Sequence, residues 1–411
     1  MPNSEKASTQ PERFSVNQLI SIGLFTRLLI DTGVQVFFPF LKVMANGIGI
    51  TTVEMGRLIS LRSSMGLLAP LFGVLADRKG NRFVMRLGLF IAAGGYLLLG
   101  LSTNLWTAAI GIVLSAIGSF AFLPTLQAYL SARLPYAKRA RGLGIVEYAW
   151  ALSGIVGLFL VGQLIEFTNW RMPMFFISGG LFFWGAVYHW LPTSNVDWAE
   201  AKPKKSGSKK FEFGRMKSFF DLGENRRSAW SNLTVSALIM FAATNLFITY
   251  GTWLESEYSL GPSVLGIVAL VLGVSDLIGS VLVSVISDRF GKRRSVIFGG
   301  SLTFMGFLLL PLFNVSLIPA VIGISLARGA FEFTVVSNIP LLSEQVPQQR
   351  SKMMGIATAF GLGGTAVAGL TGPWVYEQFN VPGVGVLSAT AMALSVLITL
   401  WLVREPEFSD A

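Results

Sequence analysis

Residues 73–82 read GVLADRKGNR, and 211 positions later residues 284–293 read SVISDRFGKR. Asp77 is matched by Asp288, Arg78 by Arg289, Gly80 by Gly291 and Arg82 by Arg293, while Ser284 stands where the first copy has Gly73. The same offset pairs Phe120 with Phe331, Phe122 with Phe333, Gln127 with Asn338, Gly144-Ile145 with Gly355-Ile356 and Glu166 with Glu377. One shift held this far along the chain means that one unit has been used twice. Each hairpin sits where a long apolar run stops, so the repeated unit is built for a membrane. Two parallel repeats in one chain are a transporter plan.

Composition agrees. Of the 411 residues, 52% are hydrophobic and 13% charged, against about 25% charged in an average soluble protein. The 32 Phe, 10 Trp and 44 Gly fit helices in lipid. Runs of about 20 apolar residues are the spanning signal. Twelve occur, the first near 17–43 and the last near 383–403. The first is too long for a signal peptide and carries Arg27 and Asp31. The expected fold is an all-α membrane protein, with twelve transmembrane helices in two pseudo-symmetric six-helix bundles. The bundles would span 17–192 and 228–404, joined by a cytoplasmic linker at 193–227, with tails at 1–16 and 405–411. The linker contains KPKKSGSKK, and a short amphipathic helix is expected near 211–220.

A net charge of +10 would suggest nucleic acid in a soluble chain. Here 26 of the 32 Lys and Arg fall in the tails, the linker and the loops of one face. The excess is therefore topological, no nucleic-acid partner is expected, and both termini are placed in the cytoplasm of a cell (inner) membrane. The absence of Cys removes disulfides, thiolate metal sites and Cys nucleophiles.

Twelve spans, a long central loop, a half-chain repeat and the signature G-x-x-x-D-R-x-G-x-R resemble the major facilitator superfamily over about 17–404. Gly73, Asp77, Arg78, Gly80 and Arg82 match that signature in full. The resemblance implies that Asp77 caps the start of the eleventh helix near Lys352 while the cytoplasmic side is shut. Asp288 would do the same at the start of the fifth helix near Arg141. Such contacts would bias a two-state equilibrium, as a gate must. Proton-driven drug exporters of the superfamily carry an arginine in an R-x-x-Q-G pattern on the fourth helix, where this chain has Leu114 before Gly118. Their G-x-x-x-G-P-x-x-G-G run on the fifth helix is here Ser153-Gly154-Ile155-Val156-Gly157, without proline. Import is left as an open reading.

Ionisable groups at mid-bilayer cost at least ~2.5–3.5 kcal/mol on insertion scales, so each needs a reason. Arg27, Asp31, Arg62, Asp276, Arg328 and Glu332 all fall ~15–21 Å from a span end at ~1.5 Å per residue. Glu147 lies shallower. Arg27 with Asp31, and Arg328 with Glu332, are spaced four apart on one helix face. Each pair neutralises itself or reaches across to the other half. One of Asp31, Glu147, Asp276 and Glu332 is expected to carry a proton. Alternatively, the arginines clamp a carboxylate or phosphate. Gln127 and Asn338 are candidate hydrogen-bonders to solute.

The expected function is a secondary active transporter of a small organic, possibly amphipathic solute, working by alternating access with proton coupling. The alternatives are a passive facilitator of the same fold, or a non-transporting receptor or scaffold. A single His and no nucleotide-cradling motif argue against an enzyme or a direct ATP drive. No cofactor or metal is expected. The partners are the solute, H+ and the lipid bilayer, and a monomer suffices.

Overall fold

The computed structural model describes residues 14–134, 136–192, 222 and 225–405. The side chains of 136–138, 140, 284, 288, 289 and 351 lie outside that description. So do residues 1–13 and 406–411 of the tails and the helix expected near 211–220.

The first span starts as helix α1, Val16–Gln35, under a capping box in which the Ser15 and Gln18 side chains satisfy each other's backbone N–H. It does not run straight to residue 43 as the apolar run suggests. Pro39 has no N–H to donate and its ring crowds the carbonyl of residue 35. The chain therefore turns at 36–40 and resumes as a short helix, Leu41–Ile48. Then follow α2 (Thr52–Lys79), α3 (Asn81–Gly100) and α4 (Leu105–Arg133). Next come α5 (136–167) and α6 (Arg171–Val187). The second half contains α7 (Arg226–Tyr258), α8 (Pro262–Phe290), α9 (Lys292–Phe313) and α10 (Leu317–Glu344). The final helical stretch, Arg350–Trp401, is broken by non-helical Asn380 (φ 51°, ψ −152°), which gives α11 (350–379) and α12 (381–401).

Among the described residues nine helices are long and apolar enough to cross a membrane, counting Lys352–Trp401 as one. Splitting that one at Asn380 and adding α6, which has 17 residues, and α1, cut short by Pro39, gives twelve spans. α5 is not a plain helix. A π-helical turn at Ser153–Gly157 interrupts it, and the Ser153 hydroxyl turns back to donate to the Trp150 carbonyl at 2.7 Å. The Gln35 Nε2 of α1 donates to that carbonyl at 2.9 Å.

The bundles meet along α2–α11 and α5–α8, and the short helix Leu41–Ile48 meets α7. Gly56 of α2 lies against Gly369 and Pro373 of α11, and Gly162 of α5 lies against Pro262 and Gly266 of α8. Any side chain at these glycines would collide, which is how helix backbones approach closely without a hydrophobic drive from water.

The hairpins are turned by Gly80 (φ 87°, ψ 147°) and Gly291 (φ 87°, ψ 144°), the same conformation in both halves. A Cβ at Gly80 would meet no atom within 4 Å. Gly80→Ala therefore carries backbone strain alone, about 1–3 kcal/mol. A lowered thermal midpoint in detergent is expected, and an unchanged one would contradict this role. Arg82 Nη1 donates to the Leu191 carbonyl at 2.7 Å, just past α6. Arg293 Nε donates to the Val403 carbonyl at 2.8 Å and Nη2 to that of Leu400 at the end of α12. These twin arginines satisfy the last carbonyls of the outermost helices and tie each hairpin to its own bundle.

Candidate transport site

In the first half, one network joins three helices. Arg27 of α1 donates from Nε to Asp31 Oδ2 at 3.3 Å and from Nη1 to Glu147 Oε1 on α5. Gln127 of α4 donates from Nε2 to the same Glu147 oxygen at 2.8 Å. Glu147, shallow by sequence, is thus held at the edge of the charged cluster. Asp31 is 2% exposed. Arg62 of α2 is also buried, beside Tyr96 of α3 and near Asp31. Its Nε has no hydrogen-bond partner among the described residues.

The second half departs from the spacing argument. Arg328 does not pair with Glu332, four residues on. It forms a two-pronged bond to Asp276 of α8, with Nε to Oδ1 at 3.0 Å and Nη2 to Oδ2. A planar guanidinium matches a carboxylate edge to edge, and Asp276 offers that geometry across the α8–α10 seam. The guanidinium also stacks 4.3 Å from the Phe247 ring centroid. Phe247 in turn touches Phe331 at 5.2 Å and, across the bundle interface, Phe38 at 5.8 Å. Among the described residues, Glu332 accepts from Ser280 Oγ alone, at 2.8 Å. Neither arginine–acid pair reaches the opposite half.

Asn338 is buried and donates to Ser236 Oγ at 3.0 Å, a contact inside its own bundle. Phe333 faces Phe298 of α9 rather than the interface, and Phe122 packs on Tyr188. Sequence reasoning missed Gln35, Ser280, Phe247 and Tyr96. The first two were within reach. Gln35 sits one turn beyond Asp31, and Ser280 one turn beyond Asp276, as polar groups continuing the charged faces. Phe247 and Tyr96 carry no signal that separates them from ordinary apolar packing.

The two faces of the molecule differ. A cavity of about 400 Å³ opens between α2, α4 and α11 on the hairpin face. Asp77 lines it with Gly73 and Pro124, opposite Gly355, Thr358 and Leu362 of α11. Asp77 is exposed and makes no hydrogen bond or ion pair among the described residues. Arg78 is exposed beside it. The side chains of Asp288 and Arg289 lie outside the described residues. Every hydrogen bond or ion pair between the bundles whose two partners are described lies toward the opposite face: Lys42 with Glu255 and Ser256, Thr52 with Glu377, and Gln163 and Glu166 with Ser263. Among the described residues, the cavity opens on the hairpin face and the polar contacts between the bundles lie on the other.

A helical repeat unit used twice, parted on one face around buried charges, defines a membrane transporter. The family model described as Major Facilitator Superfamily matches residues 23–261 and 232–411, and the chain belongs to that family. It is 24% identical over 372 residues to the "Uncharacterized MFS-type transporter YwfA" of Bacillus subtilis (strain 168), covering 90% of this chain and 88% of the relative. It is 24% identical over 317 residues to the "Multidrug resistance protein MdtG" of Proteus mirabilis (strain HI4320), covering 75% and 76%. Its fold matches the crystal structure of a D-xylose-proton symporter with a TM-score of 0.76 at 16% identity, over 94% of this chain and 97% of that one.

Proposed function

We propose that this protein is a proton-coupled secondary transporter, moving a small amphipathic organic solute by alternating access. The hairpin face is taken as cytoplasmic, on the strength of the Lys and Arg bias, with both termini on that side. Similarity to bacterial relatives supports placement in an inner membrane.

The observation that carries the coupling is a carboxylate at the site, Glu332, that no arginine pairs among the described residues. Arg27, Arg62 and Arg328 stand with three acids, Asp31, Asp276 and Glu332, while Glu147, 48% exposed, lies at the edge of the cluster. Asp31 and Glu147 share Arg27, and Asp276 is matched by Arg328. Among the described residues, Glu332 has only a hydroxyl donor. An unpaired carboxylate in a low-dielectric interior is costly, and binding one proton removes that cost. Glu332 is therefore the proton carrier in this reading. The Phe38–Phe247–Phe331 wall beside it supplies the apolar surface for solute. Arg62, with a free Nε, is the group that would take an acidic substituent. The test is transport by purified protein in liposomes under an imposed pH gradient, screened across amphipathic solute classes. A rate that follows the sign and size of the gradient is expected. Solute movement that ignores it would leave a passive facilitator.

Asp77 serves as the gate on the cytoplasmic side in this account. Its carboxylate faces α11 across an open cavity and would close onto the amino end of that helix when the bundles rock. Asp77→Asn is expected to slow transport several-fold while leaving folded yield unchanged. Unchanged transport kinetics would reduce the hairpin to a chain turn.

A further inference from the structure

The contacts that close the opposite face are arranged as a symmetric pair. Glu166, near the end of α5, accepts from the backbone N–H of Ser263 in the first turn of α8, Oε2 to N at 3.2 Å. Glu377, near the end of α11, accepts from the hydroxyl of Thr52, the first residue of α2. Glu166 and Glu377 are 211 residues apart, and so are Thr52 and Ser263. The two contacts thus join the same pair of repeat positions, through a backbone N–H at Ser263 and a hydroxyl at Thr52, and each links one bundle to the other. Glu54, in the same turn as Thr52, is occupied by the Thr51 backbone N–H and hydroxyl, which leaves Thr52 to Glu377. Gln163 adds a 3.0 Å bond from Ser263 Oγ beside Glu166.

We infer that Glu166 and Glu377 form a paired latch that holds the face opposite the hairpins shut. The inference rests on the alternating-access reading. The latch uses the same helix pairs as the hairpin gate with the roles exchanged. At the hairpin end, α2 and α8 carry the acids, Asp77 and Asp288. At the other end, α11 and α5 carry the acids, and α2 and α8 present their amino termini. A carboxylate at a helix amino terminus is favoured by the free N–H groups and the helix dipole. Both glutamates are exposed, so each contact is weak enough to be broken and remade in every cycle. The close glycine packing at Gly56–Gly369 and Gly162–Gly266 seals the seam, and the two acids bias whether it stays sealed.

The chain has no cysteine, so single reporters can be placed directly in the full-length protein in liposomes. Ser60→Cys, buried in the α2–α11 seam, reports opening of the latched face. Thr358→Cys, in the cavity wall, reports the hairpin face. Glu166→Ala and Glu377→Ala should each raise N-ethylmaleimide labelling at position 60 by about two- to fivefold. The double variant should raise it by about four- to twenty-five-fold, since separated sites add. Labelling at position 358 should not rise. If the double alanine variant fails to fold, Glu166→Gln with Glu377→Gln removes both charges at constant shape and is expected to give the same direction of change. Unchanged labelling at position 60 overturns the latch, and so does a parallel rise at both reporters, which would mean general loosening. Neither outcome depends on knowing the solute, so failure here is distinct from failure of solute transport.

Discussion

Asp276→Ala is expected to cost about 3–5 kcal/mol of folded-state stability, the scale for removing one partner of a buried ion pair. The substitution leaves the Arg328 guanidinium, 5% exposed, with the Phe247 ring and no carboxylate in contact. Much of the loss would come from that stranded charge rather than from the bond itself. Replacing both partners, Asp276→Leu with Arg328→Met, should recover most of the stability while abolishing transport. Thermal unfolding of the purified variants in detergent checks this. A single variant as stable as the double would mean that Arg328 finds another anion, with Glu332, one turn along the same helix, the first to examine.

Glu332→Gln is the second large effect. The amide keeps the shape of a protonated carboxyl and its bond to Ser280, so fold and solute binding should survive. Gradient-driven accumulation should be abolished, while exchange of solute between the two sides of the membrane persists without a pH dependence. The expected signature is a flat pH profile where the parent protein has a slope. If Glu332→Gln still concentrates solute against a gradient, the proton is carried elsewhere, and Asp31 or Glu147 takes over the assignment.

Much of the architecture was legible because it follows from two strong signals. Apolar run length marks the spans, and a displaced copy of the same hairpin marks the twofold plan. The hairpin glycines read correctly for the same reason: in both copies the turn takes a conformation that only glycine adopts freely. The breaks in the helices were less visible. Pro39 announces a disruption, yet nothing in the local composition announces the π turn at Ser153–Gly157, beside which Gln35 arrives from another helix to bond the Trp150 carbonyl. The charged site was legible as a set of residues and illegible as a set of bonds. Spacing along one helix correctly joins Arg27 to Asp31 and would wrongly join Arg328 to Glu332. The partner of Arg328 is chosen by bidentate geometry across a helix seam, which a one-dimensional pattern does not contain. Glu166 and Glu377 were visible as a matched pair. Their contacts with Ser263 and Thr52 emerge only when the two bundles are packed together.

The central claim is that the two bundles rock as units, so that one face opens as the other closes. Spin-label distances across each face of the reconstituted protein test it most directly. One pair, Lys79→Cys with Gln348→Cys, spans the hairpin face, and the other, Ile50→Cys with Phe379→Cys, spans the opposite face. The account predicts two populations at each pair, with the long distance dominant on the hairpin face and the short one dominant on the other. The two faces should shift in opposite senses when solute or pH is changed. A single fixed distance at both faces under every condition, or distances that lengthen together, would contradict it.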